Sequence, residues 1–381
     1  YVTLEEIESA PKSVKDMYSA KCKSVWLDAM KKEVEGLERN NTWTVIDSPP
    51  FGEKAVDSKW VFQWKTDEHG YVMKAKARQV FRGDRQEIGD ILTFSPTPPT
   101  TTNRVAAAVA CAEGKTIFHF DVEQAFVQSE PEDDVYMRLP PGLGDRSGTV
   151  VHLHKTLYGL KQAAREWYGK PGRTLKGLGF EQSLIDPCVF RLIDREEVKV
   201  LIVVHVDDMF VIGAESVCNR LAEDLNAHFP TKNFGALVWY AGCGYKDDLE
   251  KGTLNLSQTA YTQRILERFS IKRTAETPAL VSSDFKVNQG EGSEGRYREP
   301  VGSFMWLSIN TRPDIADAVR AASRHNENPT PEDWRKVLRI FEYLKTTVDL
   351  GITYARGSSD ELVAYADADY AKFEDRRSVS G

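Results

Sequence analysis

The chain has 381 residues, 41% of them hydrophobic and including 8 Trp, 14 Tyr and 17 Phe, which is enough to bury a large core in two or three domains. Its apolar runs, Val105 to Ala112 and Val200 to Val204 among them, are far too short to span a bilayer, so no membrane partner is expected. A net charge of −7 runs against the basic footprint of a nucleic-acid binder, yet basic residues concentrate between Lys54 and Gln86 and between Lys155 and Lys176. Such stretches would line a phosphate channel or simply face water.

Five cysteines (Cys22, Cys111, Cys188, Cys218, Cys243) sit singly and far apart, which fits neither a disulfide framework nor a zinc site. They read as reduced thiols of an intracellular protein. The start at Tyr1 rather than Met, with no secretory leader, suggests a fragment or a processed product.

In chain order, Trp26, Met30, Val34 and Leu37 recur at helical spacing and predict a helix over 12–40, ended by Asn40-Asn41. From Trp43 to about Val80 short alternating segments broken by turn residues predict antiparallel strands. A Pro- and Thr-rich loop then leads into an apolar helix from Val105 to Ala112. Two strand signals are the clearest: Lys115 to Val122, and a hairpin from Val198 to Gly213 turning at Asp207-Asp208. Between them a helix should begin near Gln162. Beyond Gly213 helix signals dominate, over 217–228, 259–269, 297–310, 314–325 and 331–347, with a linker at 276–296 and the start of a strand at 361–370.

The acidic residues carry the chemistry. Asp121 closes one predicted strand, and Asp207-Asp208 occupies a turn 86 residues later. A sheet that paired the two elements would gather three carboxylates, as nucleotidyl transfer needs to hold two divalent ions about 3.5–4 Å apart. Taken alone, an Asp-Asp turn is more often ordinary turn chemistry.

The surrounding strings resemble the reverse transcriptases of Ty1/copia-type retrotransposons over most of the chain. WLDAMKKEVEGLERNNTWTVID looks like the lead-in, and KWVFQWKTDEHGYVMKAKARQVFRGDRQ is similar to the fingers strands. FDVEQAFVQSE, VYMRLPPG, LYGLKQAAREWY, HVDDMFVIG, LSQTAYTQRILERF and TRPDIADAV follow in the family's order. The resemblance implies an α+β right-hand polymerase fold of fingers, palm and thumb, with a helical connection and a truncated RNase H start. Residues 1–42 would be a helical lead-in, 43–275 the fingers, palm and start of the thumb, 276–358 the helical thumb and connection, and 359–381 an incomplete RNase H-like segment.

It also implies roles for single residues. Asp121, Asp207 and Asp208 would be catalytic and bind Mg²⁺ or Mn²⁺. Phe126 would be the aromatic gate beneath the sugar of the incoming nucleotide. Arg78, with Lys65 and Lys76, would hold the triphosphate, a task that suits the planar fork of Arg. Gly159, Lys161 and Gln162 would contact template and nucleotide. Trp239, Tyr240 and Gly242 would form the primer grip, and Asp367 would match the first metal-binding residue of RNase H. The implied partners are an RNA or DNA template with its primer, dNTPs, and the other segments of the same polyprotein (integrase, RNase H). The implied location is the cytoplasm, in a virus-like particle, or the nucleus.

Several positions depart from the family pattern. Gln79, Phe81 and Asp84 replace an apolar, a small and an aromatic residue, and Asp84 puts negative charge beside the phosphate-binding strand. Ala164, His205, Ala241 and Asp333 also differ from it. The alternative function is therefore a degenerate or domesticated remnant that binds nucleic acid and polymerises weakly. A nuclease built on Asp367 and Asp369 is disfavoured because the chain stops at Gly381.

Overall fold

The computed structural model describes residues 2–4, 6–67, 70–87, 92–279, 296–358, 363–366, 368–369 and 379–380. Among them, no helix is long and apolar enough to cross a membrane, and all five cysteines are free thiols.

The helix expected over 12–40 is two helices, α1 (Val14–Ser19) and α2 (Lys23–Arg39). Extended backbone at Ala20 separates them, and the Ser13 side chain caps the first by accepting from Asp16 N. α2 buries Trp26, Met30, Val34 and Leu37, and the chain leaves it through Asn41 at φ 49°, a left-handed conformation that Asn tolerates. After β1 (Trp43–Val45), the strands β2 (Val56–Thr66) and β3 (Val72–Phe81) form a long hairpin. Burial alternates strictly from Ser58 to Trp64 of β2, so Trp60, Phe62 and Trp64 share one face and pack with Trp26 of α2.

Next come α3 (Thr100–Ala112), β4 (Ile117–Val122), β5 (Val135–Arg138), β6 (Val150–Leu153) and α4 (Ala163–Gly177). α3 starts one turn earlier than its apolar pattern suggested. A five-stranded sheet runs β1-β6-β5-β2-β3. The loop before α4 packs backbone to backbone against the end of β3: Phe81 N donates to Tyr158 O at 2.8 Å, and a Cβ at Gly83 would collide with the Gly159 carbonyl. Only glycine fits at either position, and Gly159 also takes φ 94°.

The second sheet holds β7 (Glu181–Gln182), β8 (Val189–Asp194), β9 (Glu197–His205), β10 (Asp208–Gly213) and, after α5 (Glu215–Asn226), β11 (Thr231–Ala236). Its order is β11-β4-β10-β9-β8-β7. Phe118, Phe120, Met209 and Val211 pack on the side of α4 and α5, while Ile117, Phe210 and Ile212 pack on the side of α3. That second side is covered by a sheet the sequence did not announce: β12 (Trp239–Tyr240), β13 (Cys243–Asp248), β14 (Thr253–Ser257) and, far along the chain, β15 (Ile352–Ala355).

Four helices fall where predicted and share one core: α6 (Thr259–Arg268), α7 (Arg298–Asn310), α8 (Ala316–Ser323) and α9 (Pro331–Thr346). Arg312, 1% exposed, pairs with Asp314 within the α7–α8 connection and ties that connection to the end of α9 by donating to Thr347 O and Thr347 Oγ1. The departure at Asp333 is explained here, since its carboxylate closes a capping box with Thr330 at the start of α9. Of the expected linker at 276–296, residues 280–295 lie outside the described residues; of the expected strand at 361–370, residues 361, 362, 367 and 370 do, while Ala368–Asp369 pairs antiparallel with Val379–Ser380.

One buried position carries an energetic penalty. Gln79 on β3 is 0% exposed, and neither Nε2 nor Oε1 has a hydrogen-bond partner among the described residues. An unpaired buried amide costs roughly 1–3 kcal/mol. Gln79→Leu should therefore raise the urea midpoint of unfolding, and a variant less stable than the parent would show that the amide is satisfied in solution.

Candidate active site

β4 and β10 pair antiparallel with Asp208 directly across from Asp121. Asp207 lies in the two-residue turn that joins β9 to β10. The turn's first residue, Val206, has φ 57°, a left-handed conformation that a β-branched side chain resists. Two hydrogen bonds hold it there. Val122 N donates to Asp207 O at 2.8 Å, and Trp167 Nε1 donates to Val206 O at 2.6 Å. Strain of order 1–3 kcal/mol persists only where the surroundings fix it, as they do here.

Burial pushes the Asp121 carboxyl up, and the charges of Asp207 and Asp208 push it further. Asp207 is raised by the same causes, burial first and then Asp208. Asp208 itself turns toward His119, whose Nε2 lies 2.8 Å from Asp208 Oδ1. The imidazole is held between Phe234 and Tyr240, at 5.5 and 6.0 Å between ring centroids. Sequence reasoning passed over His119. The signal was its place two residues before Asp121, hence on the same strand face.

Among the described residues, no three carboxylate, imidazole or thiolate groups already converge on a point as an all-protein ion cage would. The donor set is nevertheless right for a hard cation. Mg²⁺ is typically held by one or two carboxylates together with substrate phosphates, not by a dedicated cage. Two of these three carboxyls, Asp121 and Asp207, are also destabilised by neighbouring carboxylate charge, which a cation would relieve.

Three cations from the β2–β3 hairpin face the carboxylates. Burial and the neighbouring Arg78 lower the Lys65 amine, against the pull of Asp207. Burial, Arg78 and Lys65 lower Lys76. Among the described residues, none of the three closes a salt bridge. Other cations of the basic stretch do: Lys54 with Glu87, Arg82 with Asp84, and Arg85 with Asp57. The Asp84 charge is thus taken up by Arg82, which holds that carboxyl down at about 2. Behind the cluster Glu33 of α2, raised mainly by burial, accepts from Gln79 N.

The remaining expected residues divide. Phe126 sits half-buried on a short 3-10 turn, Ala125–Gln128, edge-on to Tyr158. Lys161 and Gln162 turn elsewhere: Lys161 Nζ donates to Gln86 O at 2.9 Å, and Gln162 Oε1 accepts from Gln86 Nε2 at 2.9 Å. Tyr240 lies buried under the carboxylate hairpin against His119, His205 and Phe210. Trp239 precedes it on β12, and Gly242, at φ 82°, lies against Trp306 of α7. Asp367 lies outside the described residues.

Comparison with known proteins agrees with the motif strings. The reverse transcriptase (RNA-dependent DNA polymerase) profile matches residues 40–280. The chain is 32% identical to the retrovirus-related Pol polyprotein from transposon TNT 1-94 of Nicotiana tabacum, over 100% of its own length and 30% of the relative's. It is 34% identical to the Pol polyproteins from transposons RE2 and RE1 of Arabidopsis thaliana, covering 91% and 92% of this chain and 24% of each relative. The chain therefore spans less than a third of these curated relatives.

The raised carboxyls carry a consequence for stability. A carboxyl whose folded value lies above its unfolded value disfavours folding once ionised. That penalty is present at neutral pH and disappears as pH falls from the raised folded value through the unfolded value near about 3.9. Asp207→Asn should thus melt about 1–4 °C above the parent at pH 7, with the gap closing below about pH 4. Mn²⁺ should raise the parent's melting temperature more than the variant's, since it binds the folded site only. Equal responses to Mn²⁺ in the two proteins would count against a cation at Asp207.

Proposed function

The chain belongs to the reverse transcriptase (RNA-dependent DNA polymerase) family, and from that premise we propose that it polymerises DNA on an RNA or DNA template, as the polymerase segment of a copia-type Pol polyprotein. The observation that carries this reading is the β4–β10 register, which sets Asp121 against Asp208 with Asp207 pinned beside them. In this reading the second sheet is the palm and the β2–β3 hairpin belongs to the fingers, within 43–275. Residues 1–42 are the lead-in, 276–358 form the helical thumb and connection, and 359–381 begin an RNase H-like segment.

Asp121, Asp207 and Asp208 would hold Mg²⁺ or Mn²⁺. Divalent ions at such a site activate the attacking hydroxyl and neutralise the leaving pyrophosphate. The protein's own groups supply position and charge. Arg78, with Lys65 and Lys76, would grip the triphosphate of the incoming dNTP, and the crowding of these three cations makes the cluster receptive to a polyanion. Phe126 would lie beneath the sugar and exclude a 2′-hydroxyl. Trp239, Tyr240 and Gly242 would support the primer end, with Tyr240 braced under the hairpin. Gly159 would serve by letting the loop approach closely. Lys161 and Gln162 would reach the template only by releasing Gln86.

Primer extension on primed poly(rA) with Mn²⁺ tests the reading, and incorporation is expected. Asp207→Asn should reduce it by at least about 10²-fold, because a carboxylate-held metal contributes several kcal/mol to the transition state. Unchanged extension in that variant would sink the assignment. Arg78→Ala should raise the dNTP KM by about 10-fold, the worth of one charge-assisted hydrogen-bond pair, and an unaltered KM would remove Arg78 from the nucleotide site. Phe126→Ala should admit ribonucleotides more readily, whereas equal rejection by both proteins would make Phe126 an ordinary core residue.

A further inference from the structure

Tyr158 stands between two side chains to which the proposed reaction gives different tasks. Its ring meets Phe126 edge to face, with centroids 4.7 Å apart and planes at 81°. The Arg78 guanidinium carbon lies 5.0 Å from the centroid of the same ring. Arg78 Nε is buried without a hydrogen-bond partner among the described residues, so the aromatic face is a large part of what that end of the guanidinium has.

The backbone around Tyr158 is fixed from both sides. Its carbonyl accepts from Phe81 N at 2.8 Å, which ties it to the end of the strand that carries Arg78. Two residues earlier, the Thr156 hydroxyl donates to Phe126 O and Thr156 N donates to Ser129 O at 2.9 Å. The loop that presents Tyr158 is therefore stitched to the turn that presents Phe126. That turn is only four residues long and is entered through Gln124 at φ 49°. The phenol is half-buried, faced by the carboxylates of Asp207 and Glu33 and by Arg78.

We infer that Tyr158 is a specificity-determining positioning residue. Its ring sets the Phe126 edge and the Arg78 guanidinium in one arrangement, so that sugar discrimination and triphosphate capture depend on each other. This rests on reading Phe126 as the sugar contact and Arg78 as the phosphate ligand. The ring makes the contact with Phe126 and stacks on the Arg78 guanidinium, and the hydroxyl adds a side-chain hydrogen bond with Arg78.

The test compares dNTP and rNTP incorporation on a primed template for the parent, Phe126→Ala, Tyr158→Phe, Tyr158→Leu and the Phe126→Ala/Tyr158→Leu double variant. Tyr158→Leu should lower discrimination against ribonucleotides by about 3–10-fold, the worth of an edge-to-face pair, and raise the dNTP KM by a similar factor. Tyr158→Phe, which keeps the ring, should keep discrimination near the parental value. The double variant should discriminate no worse than Phe126→Ala alone, since the two side chains act as one unit. Thermal melting checks folding, and Tyr158→Met replaces the Leu variant should that one not fold. Additive losses in the double variant, or parental discrimination in Tyr158→Leu where Phe126→Ala is relaxed, would overturn the role of Tyr158 alone. Full discrimination in Phe126→Ala would overturn the reading of the gate, and this inference with it.

Discussion

β4 and β10 share a register that places Asp208 against Asp121, and the rest of the site hangs on that pairing. The register is set by packing on the opposite side of the sheet. Phe118, Phe120 and Val122 of β4 and Met209 and Val211 of β10 enter one core together with Trp167, Leu175 and Phe190. A slip by one residue would expel all of these and turn the carboxylates into the core. The other face grades along its length from Ile117 and Ile212, through His119 and Phe210, to the paired aspartates. Apolar burial at one end thus holds charge in place at the other, and the carboxylates need contribute nothing to their own positioning.

They in fact work against the fold. Asp121 and Asp207 are both raised by burial and by neighbouring charge, and Val206 beside them is in a left-handed conformation. Sites that break local rules while the surroundings obey them are where function is expected. The tethers that hold the strain, Trp167 Nε1 to Val206 O and Val122 N to Asp207 O, come from the helix and strand packed on the hairpin. Trp167 serves the apolar core and the turn at once. The unpaired amide of Gln79 is a different case, because no gain in the structure offsets it.

Local signals carried most of the fold. The β9–β10 hairpin, the burial alternation of β2 and helices α6 to α9 all follow from periodicity within a dozen residues. The β12–β15 sheet does not. β13 is short and exposed over its second half, and β14 finds its last partner in Ile352–Ala355, about a hundred residues on. The helix over 12–40 looked continuous because the break at Ala20 lacks Gly or Pro. In the site, the motif strings named Asp121, Asp207 and Asp208, and the register sets Asp208 across from Asp121 with Asp207 in the adjoining turn. Nothing local could reveal that His119 meets Asp208, that Tyr158 meets both Phe126 and Arg78, or that Lys161 is occupied by Gln86. Each is a contact between segments far apart in sequence.

The net charge of −7 now has a physical reading. Charge summed over a chain says little about the field at one place when most charges are locally neutralised and the remainder is screened over about 10 Å. Much of the basic stretch from Lys54 to Gln86 is spent on ion pairs with Glu87, Asp84 and Asp57. In the second stretch Lys155 pairs with Glu130 and Arg165 approaches Glu132. Among the described residues no carboxylate closes on Lys65, Lys76 or Arg78, nor on Lys59 or Lys74; the first three are distinguished by being half-buried, which weakens screening, while Lys59 and Lys74 are exposed. Three mutually repelling cations opposite the carboxylates leave a positive patch beside a negative one, each only partly offset by the other. A triphosphate carrying divalent ions has the complementary distribution, anionic oxygens for the first patch and cations for the second. The proposed substrate therefore lowers the electrostatic cost of both clusters at once, which neither a free phosphate nor a free metal ion would do.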